Sequence, residues 1–489
     1  MSEKTKELTA SFEGPLSFSS MAAQVFLYYG FHHAGRGEGD FSVIISGEAG
    51  NYTAAIEENG RRLFERKNCA GRREAEKALM DGFSAITGKP LGKWGYLLGM
   101  RPEKALYPFF RKPGWEEEAK RFLAEEKVSP EMAQLLMETA RCHKAVLDAS
   151  PFAEEKTASL YLHVPFCPSH CVYCSFPAAI APPAAALASY AEALARDAEE
   201  AAALAERKGL YIESVYMGGG TPSILSPSQM DQVLHRLDPL MQQKALIECT
   251  VEAGRPDTIG EELLSVLSAH GVSRISINPQ TMQDRILRQI SRSHSEEDIF
   301  RAMEAVRRYG FSSVNMDFIC GLPSQTLSDM KENLDAVCQL CPENVTIHTL
   351  AVKRGSPFFG HAASFHLPRE ETVAAMLAMA EERLRRAGYH PYYLYRQKYM
   401  TDDFANVGYA RKGHDSVYNI QMIGERQHVI GAGAGAVSKA VLPGGFRLRK
   451  LYMPRNPAVY EERLTRLLLE RCRLWDWMDP DKEHSTESK

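Results

Sequence analysis

The stretch SLYLHVPFCPSHCVYCSF, residues 159–176, sets an apolar run against a loop that carries three cysteines. LYLHV (160–164) reads as a strand stopped by Pro165. Cys167, Cys171 and Cys174 come after it with three and then two residues between them. Thiolates at those intervals can wrap one face of an iron–sulfur cube, and three of them leave one iron with an open position where a small molecule can coordinate and react. A closed zinc site completed by His163 or His170 is the competing reading. Structural zinc sites usually pair two short ligand hairpins, and the other short pair, Cys338 and Cys341, lies more than 160 residues on at the end of a helical pattern. It reads as two buried thiols.

Outward from this loop the chain alternates strand and helix patterns. The further strand candidates are SVYM (214–217), LIECTVEA (246–253), RISIN (274–278), SVNMDFI (313–319) and VTIHTL (345–350). Helical patterns succeed them, such as Pro227 to Leu240 behind the N-cap candidate Ser226, and Ile299 to Tyr309 closed by Gly310. Six βα units within 157–388 predict a parallel sheet with right-handed crossovers, closed as a barrel or partial barrel. The reactive face of such a barrel is built from the residues just past the C-terminal end of each strand. Here those are Gly218-Gly219-Gly220-Thr221-Pro222, Glu252, Asn278-Pro279-Gln280 and Asp317. Each alone reads as a turn, a salt bridge or a capped loop. Their recurrence at one end of successive strands points to a shared site, and the glycines suggest backbone N–H groups open to a ligand.

The flanks differ in texture. Residues 1–150 are expected to form an α+β domain, with a hairpin over Phe41 to Glu65, a helix over Arg72 to Thr87 ended by Gly88, and a charged helical stretch from Trp115 to Lys144. Residues 389–489 are Tyr-rich, then Gly-rich at IGAGAGAVSK (430–439), then helical from Ala458 to about Leu474, with a tail, HSTESK, expected to be disordered. With 489 residues, 44% of them apolar, several domains with real cores are expected and wholesale disorder is excluded. A net charge of −4 excludes a polycation that coats nucleic acid. No export signal or membrane span is expected, and ten cysteines are too sparse for a disulfide framework, so the expected setting is the reducing cytoplasm.

With the aromatic Tyr173 just before the third cysteine, the Cys-x3-Cys-x2-Cys loop resembles that of radical S-adenosylmethionine enzymes. The string YLHVPFCPSHCVYCSF is similar to the oxygen-independent coproporphyrinogen III oxidase (dehydrogenase) group and its heme-chaperone relatives, over about Ser159 to Lys439. The resemblance implies an α/β fold, a partial (β/α)6 TIM-like barrel with an α+β N-terminal domain and a small α+β C-terminal region covering the substrate. It implies a [4Fe-4S] cluster on Cys167, Cys171 and Cys174, and S-adenosyl-L-methionine as second cofactor. Gly219, Gly220 and Thr221 match positions that support its amino-acid part, and Glu252, Gln280, Arg292 and Asp317 match further contacts. Ala351 and Val437 match backbone contacts, and Tyr161 and Tyr173 aromatic ones. Arg288, one helical turn from Arg292, competes for that role. The implied chemistry is homolysis of the sulfonium to a 5′-deoxyadenosyl radical, hydrogen abstraction from a propionate of coproporphyrinogen III, and loss of an electron and carbon dioxide to leave a vinyl group. The implied partners are this tetrapyrrole and a low-potential electron donor such as flavodoxin or ferredoxin, with no nucleic acid.

The sequence also departs from the group. Phe176 stands where the oxidases carry a fourth cysteine, and the region after Gly435 is too short for their full substrate-covering domain. With WGYLLGMRPEKAL (94–106), PYYLYRQK (391–398) and IGAGAGAVSK, the arrangement resembles the HemZ-like branch, a group of coproporphyrinogen dehydrogenases. Two alternatives stand beside it: a heme-binding chaperone, and a radical enzyme acting on another tetrapyrrole. The chaperone branch carries a His-Asn pair followed by Tyr-Trp, which His414-Asp-Ser-Val-Tyr418-Asn419 does not reproduce, and this favours the enzyme. Cationic candidates for a tetracarboxylate are, as a group, Arg396, Lys398, Arg411, Lys412 and His414. Tyr392, Tyr393, Tyr395 and Tyr399 could stack on the macrocycle or build an edge strand.

Overall fold

The computed structural model describes residues 8–34, 38–176, 179–352, 356–359, 365–396, 404–442 and 448–476. Lys398, Tyr399 and the HSTESK tail lie outside them. The chain divides into two compact units, Met1–Met137 and Glu138–Lys489. Among the described residues no helix is long and apolar enough to cross a membrane.

The second unit is built on an eleven-stranded sheet. Its centre is six parallel strands, the first to the sixth, lying side by side in chain order: Thr157–Val164, Tyr211–Gly219, Glu248–Glu252, Arg274–Gln280, Ser313–Cys320 and Asn344–Thr349. Each crossover carries helix: Ala184–Arg207, Pro227–His235, Glu261–Ala269, Asp284–Gln289 with Glu296–Arg308, Leu327–Leu340, and Glu370–Arg386 after the sixth. Their starts are fixed locally. Ser226 with Gln229, Ser295 with Asp298 and Thr326 with Asp329 form capping boxes that satisfy the first amide groups. The strands are apolar through most of their length because a parallel sheet covered by its own crossovers is buried on both faces.

The C-terminal region extends this sheet at both edges. Beyond the sixth strand lie Asn406–Ala410, antiparallel to it, and then His390–Tyr395. Beyond the first strand lies His428–Ala432, parallel to it, followed by Val437–Val441 and Leu448–Tyr452. The final helix, Pro457–Asp476, clasps the long helix Ala184–Arg207 through a fully buried ion pair, Arg471 Nη1 to Asp197 Oδ1 at 2.6 Å. The same carboxylate accepts from Tyr460 Oη at 2.7 Å and from the Gly433 amide at 2.9 Å.

The first unit holds a five-stranded sheet in the spatial order His32–His33, Thr9–Glu13, Phe41–Glu48, Asn51–Glu58, Arg61–Cys69. Helices Leu16–Tyr29 and Arg72–Thr87 supply Phe18, Phe26, Leu79 and Phe83 to its core. The expected hairpin is a three-stranded meander, because Asn59-Gly60 reverses the chain a second time. The expected domain boundary at 150 falls instead at 137, within the helix Pro130–Ala149. Residues 138–149 have their partners in the second unit: Glu138 pairs with Arg385 at 2.8 Å, and Cys142 and Val146 pack on a cluster of Tyr392, Tyr393, Ala410 and Ile420. A single uninterrupted helical pattern conceals such a division.

Candidate functional site

The cysteine loop leaves the C-terminal end of the first strand and is pinned from three sides. Phe166–Cys167 pairs with Ala179–Ile180, the Val172 amide donates to Ile290 O at 3.3 Å, and the Phe358 amide donates to Val172 O at 3.0 Å. Val172 and Tyr173 pack with Leu350 against Ile286, Leu287, Ile290, Ile319 and Leu322. Tyr173 is thereby held over the mouth of the sheet rather than in solvent. The three sulfurs are not all within 4.8 Å of one another. A single tetrahedral zinc, with Zn–S about 2.3 Å, needs its thiolates within about 3.8 Å. His170 is exposed, and the Nδ1 of His163 meets Tyr161 Oη at 3.0 Å.

Two buried guanidinium groups face these sulfurs. Arg255 donates to Cys171 Sγ at 3.6 Å and to Ser169 Oγ at 3.0 Å, with Asp257 at 3.4 Å behind it. Arg292 donates to Asn278 O at 2.6 Å and to Tyr173 Oη at 3.3 Å, and its Nε is buried with no hydrogen-bond partner. Burial pushes the Cys167 thiol up, opposed by the Thr221 hydroxyl at 3.4 Å and then by the two arginines. Burial likewise raises Cys174, opposed by the Phe176 amide. Two fixed positive charges in a poorly solvated pocket offset the negative charge that thiolates bring. Arg288 is exposed, so of the two candidate arginines Arg292 belongs to the site.

The glycine turn docks onto the same loop. The Gly220 amide donates to Val164 O and the Thr221 amide to Phe166 O, both at 2.7 Å. A Cβ on Gly220 would stand 2.4 Å from Phe166 O, and one on Gly219 2.8 Å from the His163 ring. The Gly220 and Thr221 amides are thus used within the protein, which corrects the expectation that they are open to a ligand. Next to it, Glu252 accepts from Tyr216 Oη, and burial pushes its carboxyl up to about 7 against that hydrogen bond. Gln280 takes a left-handed backbone, φ 71°, and its buried Oε1 has no partner. Asp317 lies 3.6 Å from His348 Nε2 and accepts from Asn315 at 2.8 Å; these partners outweigh burial and hold its carboxyl below the usual range.

The remaining expected positions fall at the same end of the sheet. Tyr161, Gly431 and Val437 stand level across three neighbouring strands, and Ala351 comes just after the sixth strand. The structure adds residues that sequence reasoning passed over. Arg255 is one; a cation three residues beyond Glu252 was the available signal. Tyr216 and Tyr418 are others, stacked at 4.2 Å with Tyr161 6.1 Å from Tyr418. Tyr216 shares its strand face with Gly218, which the two-residue alternation shows, whereas Tyr418 arrives from a distant helix with no local signal. Arg411, Lys412 and His414 do not join the site. They come after a strand antiparallel to the sixth, so they emerge beside its beginning, where His414 O accepts from Arg274 at 3.0 Å. Arg396 comes after a strand that runs with the sixth and lies at the cysteine end, as does Tyr395, whose Oη is 3.3 Å from His348 Nδ1. Cys338 and Cys341 are exposed, not a buried pair.

Residues 161–337 match the family described as the Radical SAM superfamily. The oxygen-independent coproporphyrinogen-III oxidase-like protein HemZ of Bacillus subtilis (strain 168) is 33% identical over 387 residues, 79% of this chain and 76% of its own. The heme chaperone HemW of the same organism is 29% identical over 281 residues, 57% of this chain and 70% of its own. Among solved structures, coproporphyrinogen III oxidase (HemN) from Escherichia coli, a radical SAM enzyme, aligns with a TM-score of 0.50 at 23% identity, over 66% of this chain and 72% of that one. The last likeness concerns the fold, a partial barrel with added terminal regions.

Proposed function

The chain belongs to the radical SAM superfamily, in its HemZ-like group, and from that premise we propose that it converts propionate side chains of coproporphyrinogen III to vinyl groups without oxygen. The family works with a [4Fe-4S] cluster and S-adenosylmethionine. When bound, these supply a 5′-deoxyadenosyl radical that removes a hydrogen atom from the propionate, after which an electron and carbon dioxide leave. The observation that carries the reading is the loop of three thiols at the C-terminal end of the first strand, backed by two buried guanidiniums, Arg255 on Cys171 Sγ and Arg292 on Tyr173 Oη.

In this reading Cys167, Cys171 and Cys174 hold the cluster, and Arg255 and Arg292 temper its negative charge. The carbonyls of the glycine turn at Gly219 and Gly220, next to Thr221, suit an ammonium group, since the Gly220 and Thr221 amides are engaged elsewhere. Glu252, the unpartnered Gln280 Oε1, the unpartnered Arg292 Nε and Asp317 provide the remaining polar contacts to S-adenosylmethionine. Buried polar atoms without partners are costly, and a ligand that satisfies them recovers that cost. Tyr161 and Tyr173 supply aromatic walls, and Ala351 and Val437 backbone edges. The tetrapyrrole enters beside Tyr395 and Arg396; a low-potential donor such as flavodoxin or ferredoxin supplies the electron that cleaves the sulfonium, and the electron released with carbon dioxide passes to a separate one-electron acceptor.

Anaerobic incubation of the reconstituted protein with coproporphyrinogen III, S-adenosylmethionine and dithionite tests this. Vinyl products with 5′-deoxyadenosine are expected, and Cys167→Ala, Cys171→Ala or Cys174→Ala abolishes both together with the brown chromophore. Deoxyadenosine without a vinyl product assigns the radical chemistry to another substrate. Stoichiometric heme binding without turnover assigns the chain to the chaperones, the function named for the HemW relative.

A further inference from the structure

At the opposite end of the sheet from the cysteine loop, three side chains of different chemistry converge. Cys142 comes from the helix Pro130–Ala149, His390 from the first position of the strand His390–Tyr395, and Asp415 from the turn before the helix Val417–Gly424. One ligand atom from each lies within 4.8 Å of the other two, and all three residues are half-buried. His390 Nε2 is 2.8 Å from Asp415 Oδ1. Among the described residues this is the one trio of cysteine, histidine or acid that meets that distance.

We propose that Cys142, His390 and Asp415 form a metal site for a zinc-class divalent ion, separate from the cluster loop. A thiolate, a neutral imidazole and a carboxylate are the donor types zinc takes, and three protein ligands leave the fourth tetrahedral position to water. The charges close: one thiolate and one carboxylate neutralise a dication. Binding releases the Cys142 thiol proton to solvent. With bonds of about 2.0–2.3 Å, tetrahedral ligand atoms stand roughly 3.3–3.7 Å apart. The His390–Asp415 contact then opens by about half an ångström.

The three segments are held independently of any ion, which is what a preorganised site needs. His390 pairs with Ala410 in the sheet. The Asp415 turn is pinned on both sides: His414 O accepts from Arg274 at 3.0 Å and from Asn344 at 2.9 Å, and Glu248 accepts from Ser416 Oγ and the Val417 amide, both at 2.8 Å. Cys142 is packed in the Tyr392–Ile420 cluster with its sulfur 3.8 Å from Pro391 O. On the helix, Glu138 lies one turn before Cys142 and is engaged by Arg385, and Arg141 adjoins it. An ion here ties helix, strand and turn together beside the beginning of the sixth strand.

The test uses the full-length, anaerobically reconstituted protein equilibrated with buffered Zn2+, followed by metal analysis, and with Co2+ alone as an optical probe. One zinc per chain beyond the iron is expected, with a thiolate-to-cobalt charge-transfer band. Cys142→Ala, His390→Ala and the near-isosteric Asp415→Asn each weaken zinc binding about tenfold or more, with iron content and cluster absorbance unchanged. A Cys167→Ala, Cys171→Ala, Cys174→Ala triple variant keeps the zinc. Absence of zinc, unchanged affinity in Cys142→Ala, or loss of zinc in the triple variant overturns the proposal.

Discussion

Glu252 faces the barrel interior with Tyr216 donating to its carboxylate, yet burial dominates and raises its carboxyl from the ordinary 4.5 to about 7. Between those values the folded chain keeps a proton that the unfolded chain has released. The acid therefore stabilises the fold most below pH 4.5, loses that contribution as pH rises to about 7, and contributes nothing further above it. The span corresponds to up to about 3 kcal/mol. Glu252→Gln, which can still accept from Tyr216, is expected to abolish this slope. Thermal unfolding of the cluster-free protein should show variant and wild type alike at pH 5 and the variant more stable at pH 8; parallel curves would contradict the assignment. That Glu252 ends an apolar strand was legible in the sequence. Its proton was not, because it depends on Tyr216 and on neighbours from other strands.

At the scale of elements, the junction of the second strand with the cysteine loop admits no side chain. Gly220→Ala places a methyl 2.4 Å from Phe166 O, the residue beside Cys167. Backbone must shift to relieve it, and the bonds from the Gly220 amide to Val164 and from the Thr221 amide to Phe166 go with it. Cluster content after reconstitution is expected to fall severalfold, with far-UV circular dichroism unchanged; full iron incorporation in Gly220→Ala would show the junction to be pliable. The elements themselves were the most readable part of the chain. LYLHV, SVYM, RISIN and VTIHTL each lie within an observed strand or overrun it by a residue, because β-branched runs between turn signals have few other outcomes in an α/β pattern. The helix Arg72–Thr87 with its Gly88 cap was likewise visible. Direction was harder. Nothing local separates Arg411 and His414 from the substrate end; only the antiparallel pairing of their strand with the sixth does, a long-range fact that local pattern does not carry.

Over the whole second unit, four histidines are buried and held neutral by burial. The His143 imidazole is pushed down to about 3, and those of His163, His294 and His428 to about 4, from an ordinary 6.5. For each, the unfolded chain takes up a proton below pH 6.5 that the folded chain refuses until near pH 4. Their stabilisation is complete above 6.5 and is lost as pH falls through that window. Each amounts to roughly 3 kcal/mol by pH 4. Even with the opposing gain from Glu252, the sum rivals the about 5–15 kcal/mol that holds an ordinary domain together. Acid titration followed by near-UV circular dichroism is expected to show cooperative unfolding between pH 6 and 4, with about four protons taken up by the histidines and about one released by Glu252, a net uptake of about three. A unit that stays folded at pH 4, or unfolds with no net proton uptake, would refute it. Fifteen histidines are plain in the sequence, but which of them lose contact with water is decided only when the sheet assembles.

The clasp between Asp197 and Arg471 spans 274 positions of chain. A nascent polypeptide possesses every barrel strand and the whole cysteine loop well before the ribosome supplies that arginine. Until then the Ala-rich helix behind the loop cannot seat itself without sealing in an unanswered negative charge, a burden of about 3–5 kcal/mol. A premature stop only a few codons short of Arg471 would thus trim no more than the last turns of the final helix, yet leave Asp197 buried without the cation that answers it.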